Sequence, residues 1–151
     1  MLGLLGATYE MLEFKGDYPK QVIAKAFARA LSDNGLALEG DGACEFTETH
    51  QVLIRTARGR GEFIASLLEA NNIITNPQAY ADDASFAAAS GVRTGTQEMT
   101  RYGMKETDFQ ELAALIAEIV RDGDAKPAGR WTDTIKNLRG RFTDMQYCFP
   151  A

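Results

Sequence analysis

The chain is poor in the residues that most often announce chemistry. It has one histidine, His50, and two cysteines, Cys44 and Cys148, among 151 residues. Without a His or Cys cluster there is nothing to hold a zinc ion. Two cysteines this far apart fit a reduced chain better than a disulfide framework. No stretch approaches the roughly 18–20 apolar residues of a membrane span. The apolar opening "MLGLLGATYEML" lacks the basic n-region and long h-region of a signal peptide. Positive charge is also scarce: 16 Lys and Arg against 21 Asp and Glu leave a net charge of -5, which argues against a dedicated nucleic-acid binder. The one basic cluster, "RTARGRG" at 55–61, reads as a solvated loop and helix entry. No Ser-His-Asp, Cys-His or paired-carboxylate pattern stands out, and "GLLG" is not a phosphate loop with its lysine. These absences predict a soluble cytoplasmic protein.

What is present is an ordinary globular mixture, 45% hydrophobic and 25% charged. The length matches about one domain by the prior of roughly 100–200 residues. The first dozen residues read as a helix, broken at "FKGDYP" (14–19). Asp17 fits as the N-cap of a second helix that runs to the Asn34-Gly35 stop signal. Val22, Ile23, Ala26, Phe27, Ala30 and Leu31 share its apolar face. "LALE" (36–39), "THQVLIRT" (49–56) and "NNIIT" (71–75) are strand candidates, with Val52 and Ile54 opposite Leu53 in the second. A helix is predicted over 61–70 with Phe63, Ile64, Leu67 and Leu68 inward, before a turn-rich "NPQAYADD" (76–83). A longer helix follows in 105–123, with Thr107 and Gln110 resembling a capping box and Gly123 ending it. "DAKPAGR" (124–130) reads as a linker, and a last helix is predicted over 131–143 with Trp131, Ile135, Leu138 and Phe142 on one face. The pattern predicts an α+β fold: a small, mostly antiparallel sheet covered by helices on one face.

The most distinctive stretch is "GVRTGT" (91–96). In a strand Gly91, Arg93 and Gly95 share one face, and Val92, Thr94 and Thr96 the other. The glycines remove neighbours that would crowd the arginine, whose planar guanidinium matches a carboxylate with two parallel hydrogen bonds. Read alone, the pattern favours a structural ion pair for Arg93 over a ligand seat. His50, at a strand start, reads as a structural or surface histidine, and Asp82-Asp83 as part of a solvated loop.

"ASGVRTGTQEMTRYGMKETDFQELAALIAEIV" (89–120) resembles the C-terminal signature of serine hydroxymethyltransferases. "ETHQVLIR" (48–55), "LLEANNIITN" (67–76) and "YPKQVIAKAFARALSDNGLAL" (18–38) are similar to other parts of that family, in its order. The resemblance implies the C-terminal small domain of a fold-type I pyridoxal phosphate enzyme acting on serine, glycine or threonine. It implies that Arg93 grips the substrate α-carboxylate, with Ser90, Thr94, Thr96 and His50 near the site. It further implies a connecting helix over 1–17, the small domain over 18–123, and a linker with C-terminal helix and tail over 124–151.

The departures from the family pattern carry information as well. The family's cofactor lysine, which follows a run of threonines, has no counterpart, since Lys15, Lys20 and Lys25 stand in other contexts. The chain is expected to begin just after that segment, to need a separate large domain or subunit, to form homo-oligomers, and to bind no pyridoxal phosphate covalently. The folate-contacting loop reads Asn76-Pro77-Gln78, then Ala84-Ser85-Phe86, and Gln97 replaces the family's proline after "GT". These differences weigh against tetrahydrofolate use and keep a folate-independent threonine aldolase or transaldolase open. A non-catalytic binding or regulatory module is the reading from another class.

Overall fold

The computed structural model describes residues 2–22, 24–123 and 129–149. Helix α1 (Leu2–Phe14) is followed by α2 (Tyr18–Val22) and α3 (Lys25–Asp33), then strand β1 (Gln51–Arg55) and α4 (Gly61–Glu69). Strands β2 (Asn76–Gln78) and β3 (Gly91–Gly95), and helices α5 (Gln97–Arg101), α6 (Glu106–Asp122) and α7 (Thr132–Gly140), complete it. The three strands form one antiparallel sheet in the order β1-β3-β2, the expected architecture. Val52 and Ile54 of β1 and Val92 of β3 turn to one face and are buried there. They meet Phe27 and Leu31 of α3, Ile64 and Leu68 of α4, and Phe109, Ile116 and Ile119 of α6 in a single core. The Phe27 and Phe109 rings, 5.4 Å apart between centroids, join α3 to α6. Trp131, Ile135 and Leu138 close one end of this core, as the helical spacing predicts. No described helix is long and apolar enough to cross a membrane.

Several elements differ from their sequence reading. The second helix is split in two. Thr96 Oγ1 donates to the Val22 carbonyl and the Ala24 N–H donates to Thr49 O at 2.9 Å, so tertiary partners take groups a continuous helix would pair. Ile23 of its expected face, and residues 124–128 of the expected linker, lie outside the described residues. "NNIIT" is not a strand. Asn72 adopts φ 65, and the Ile73 and Asn72 N–H groups bond back to Leu68 and Glu69 at 3.0 and 2.8 Å, a Schellman stop for α4. The strand begins at Asn76 instead, and Pro77 is tolerated because β2 is an edge. "LALE" contributes a single bridge, Leu38 to Ile54.

Phe63 points outward, 46% exposed, beneath the Arg60 guanidinium. Helix α6 is capped two residues earlier than expected, with Asp108 Oδ2 accepting the Lys105 N–H at 2.9 Å. The short helix α5 was not anticipated. Gly103, at φ 94, ends it, with Gly103 and Met104 N–H groups on Thr100 and Met99 carbonyls.

Candidate functional site

The strand alternation that buries Val92 sends Arg93 to the uncovered face of the sheet. Leu53 of β1 and Asn76 of β2 stand opposite it in register, so Arg93 is central on that face. It is exposed, and no hydrogen-bond or ion-pair partner for its guanidinium occurs among the described residues. The ion pair favoured by the pattern alone is therefore not formed among the described residues.

The flanking glycines do more than relieve crowding around the arginine. Neither Gly91 nor Gly95 has a positive φ, so what matters is the missing Cβ. A Cβ on Gly91 would lie 2.5–2.6 Å from Cε2, Cζ and Oη of Tyr80. One on Gly95 would overlap the side-chain amide of Gln97. Each glycine carries another residue's side chain, and Arg93 rises between the two.

Tyr80 is held firmly. The Arg55 guanidinium lies 4.3 Å from its ring centroid, and Arg55 is itself paired with Glu39. Burial, reinforced by the nearby Glu39 carboxylate, pushes the Tyr80 phenol above its ordinary pKa despite Arg55. Its Oη is buried with no hydrogen-bond partner among the described residues. The Tyr80 N–H donates to Asp83 Oδ2 at 2.9 Å.

The other expected site residues do not join Arg93. The Ser90 hydroxyl donates to Asp83 Oδ1 and accepts from the Gly59 N–H at 3.0 Å, which fixes the loop before β3. Thr94 is half-buried, paired with Val52 on the covered side. Thr96 is buried, its hydroxyl given to Val22 O and its N–H to His50 O at 3.0 Å. His50 is half-buried, and its backbone carbonyl is what meets Thr96.

Asp83 is no solvated loop carboxylate. Besides the Ser90 hydroxyl and the Tyr80 N–H it accepts the Ser90 N–H at 2.8 Å, and these bonds hold its carboxyl below the usual range. Asp83, Tyr80 and Gln97 were missed because their placement depends on where a loop returns. The glycine spacing was the only signal that something rests there.

The "RTARGRG" segment is a loop and helix entry as expected, with Arg58 donating to Asp82 O at 3.2 Å. A groove of about 580 Å³ lined by Phe14, Tyr102, Lys105, Arg141 and Tyr147 includes no strand residue. The described lysines stand apart from the strands that carry the Arg93 face. None lies on a strand, Lys25 pairs with Glu45 at 3.3 Å, and Lys105 donates to Tyr147 Oη at 3.3 Å.

This architecture is that of the small α+β domain of fold-type I pyridoxal phosphate enzymes. The structure matches that of an L-threonine transaldolase from Pseudomonas fluorescens with TM-score 0.80 and 29% identity, over 95% of this chain and 33% of that one. The family model for serine hydroxymethyltransferase matches residues 6–116. The chain belongs to the serine hydroxymethyltransferase family. It is 40% identical to the serine hydroxymethyltransferase of Pyrobaculum calidifontis over 96% of this chain and 34% of that protein. Those of Methanothermobacter thermautotrophicus and Archaeoglobus fulgidus are 40% and 37% identical, over 97% and 99% of this chain and 34% of each relative. The chain thus spans about a third of the length of these relatives.

Proposed function

We propose that this chain is the amino-acid-gripping part of a pyridoxal phosphate enzyme of the serine hydroxymethyltransferase type, acting on serine, glycine or threonine, with Arg93 as the clamp for the substrate α-carboxylate. The observation that carries the reading is Arg93 itself: central on the open sheet face, exposed, and without a partner among the described residues. A guanidinium stays charged at any working pH and offers two parallel N–H groups to a carboxylate. Gripping both oxygens fixes the rotation of the amino acid as well as holding it, so the bond to be broken at Cα is presented in one direction. The cofactor, which supplies the electron sink, is assigned to another part of the assembly, a reading supported by the absence of any described lysine from the strands.

The test is to purify the chain with the cofactor-bearing remainder of a relative such as the Pyrobaculum calidifontis enzyme and follow amino-acid turnover. Arg93→Lys should raise KM for serine at least tenfold, because a point charge replaces the fork. An unchanged KM would sink the assignment.

A folate-independent threonine aldolase or transaldolase is the second reading. Two observations favour it: the match to an L-threonine transaldolase, and the Asn76-Pro77-Gln78 segment where a folate-contacting loop is expected. Activity on threonine that is unaffected by tetrahydrofolate selects this reading. Folate-dependent turnover of serine selects the first.

A further inference from the structure

Gly91 and Gly95 flank Arg93 on one face, and each is covered by a side chain that its own Cβ would exclude. The two covers are chemically different. Tyr80 packs against Gly91 and under Arg55, with its hydroxyl buried, so it forms a wall rather than a free donor. Gln97 lies over Gly95, is exposed, and its carboxamide has no hydrogen-bond partner among the described residues.

The backbone beneath that carboxamide is fixed from both sides. Tyr18 Oη donates to the Gln97 carbonyl at 3.0 Å, and the preceding Thr96 is buried with both its hydroxyl and its N–H committed. An amide that is positioned yet unpaired, beside a cation in the same condition, is an arrangement suited to one shared anion.

We propose that Gln97 is a second carboxylate-binding group beside Arg93, with Tyr80 as the fixed wall on the opposite side. The proposal rests on the reading of Arg93 as the carboxylate clamp. Positions two apart on a strand are separated by about 6.5–7 Å, so the guanidinium and the carboxamide rise from neighbouring places on one face, within reach of the same ligand. Arginine supplies two N–H groups, and the Gln97 Nε2 supplies one more to a lone pair the fork leaves free. Because Tyr80 closes the Gly91 side, the carboxylate enters from the Gln97 side. The site then takes the carboxylate of a small α-amino acid, and a methyl ester, which has lost the anionic oxygen, is rejected.

The test is a nuclear magnetic resonance titration of the 15N-labelled chain, following the Arg93 Nε–H and Gln97 Nε2–H₂ signals. Glycine and sodium acetate are the probes and glycine methyl ester is the control. Both signals should move with one shared Kd for the two carboxylates and stay still for the ester. Gln97→Ala should raise Kd about two- to tenfold, the size of one partly exposed hydrogen bond. Gly95→Ala, whose backbone suits alanine, should do the same by displacing the amide, and Gln97→Glu should weaken binding further through like charge. If the Arg93 signal ignores both carboxylates, the clamp reading falls and this proposal with it. If Arg93 responds while the Gln97 amide does not, and Gln97→Ala leaves Kd unchanged, the clamp stands and this proposal is overturned.

Discussion

Glu10 of α1 and Arg101 of α5 form an ion pair at 2.5 Å, joining positions 91 residues apart in sequence. The rest of α1 offers little of its apolar side to the body: Leu4, Leu5, Tyr9, Met11 and Leu12 are all exposed. The pair therefore governs where α1 lies more than how stable the whole chain is. The Arg101 and Glu10 side chains are 34% and 21% exposed, so solvent screens the pair only in part. Glu10→Gln should speed hydrogen exchange across α1 several-fold while moving the global Tm by less than about 3 °C. Equal loss of protection in α1 and the core would show that the helix is integral to the fold.

The apolar residues on α1 have a consequence for association. Leu4 is 76% exposed, and Met145 and Phe149 add exposed apolar surface in the tail. Exposed apolar side chains in this number favour self-association. Sedimentation velocity should show the weight-average size rising with concentration, and Leu4→Glu combined with Leu5→Glu should suppress the rise. A clean monomer at high concentration for the unmodified chain would count against an interface there.

Much of the frame was legible because it follows from period alone. The stripe of Phe109, Ile116 and Ile119 specifies α6, and alternation in "GVRTG" places Val92 inside and Arg93 outside. What was not legible depends on chain return. Nothing local says that Tyr80 will lie on Gly91, or that Thr96 will give its hydroxyl to Val22 and split a helix. Asn71 shows the intermediate case. Its place in "LLEANNIITN" was visible through the family resemblance, though read as the start of a strand, and its task is structural: fully buried, it donates to Leu67 O at 3.0 Å and accepts the Trp131 N–H at 3.1 Å, tying α7 to α4.

Asp83 gives the loop before β3 a defined acid response. Its carboxyl is held low chiefly by the Ser90 hydroxyl, then by the Tyr80 N–H, against a smaller desolvation effect. A depressed folded pKa means that the stabilisation is complete above the unfolded value of about 4 and is lost as pH falls through the folded value. Amide protection at Tyr80 and Ser90 should therefore hold from neutrality to about pH 4 and fall below it. Asp83→Asn should remove that pH dependence and leave both amides less protected at pH 7. If the variant keeps the wild-type acid profile, another group is responsible.

Gly61 and Gly6 put opposite expectations on the same substitution. A Cβ at Gly61 would overlap the Gly91 carbonyl and stand 2.7 Å from Ala89 O, and the Gly61 N–H already donates to Ala89 O at 2.7 Å. Both obstacles are backbone, so neither can swing away, and Gly61→Ala should cost about 1–3 kcal/mol by forcing α4 off the start of β3. That movement also shifts Gly91 and the seat of Tyr80, so the variant should lose the shared carboxylate response along with Tm. Gly6 has nothing within 4 Å of its Cβ position and lies inside α1. There Gly6→Ala should favour the helix by about 0.5–1 kcal/mol, seen as slower exchange in α1 with the core unchanged. Thermal melts and exchange on the two variants separate the reasons for the two glycines. A tolerated Gly61→Ala would mean that β3, and the face it presents, is not held by α4 in the way described.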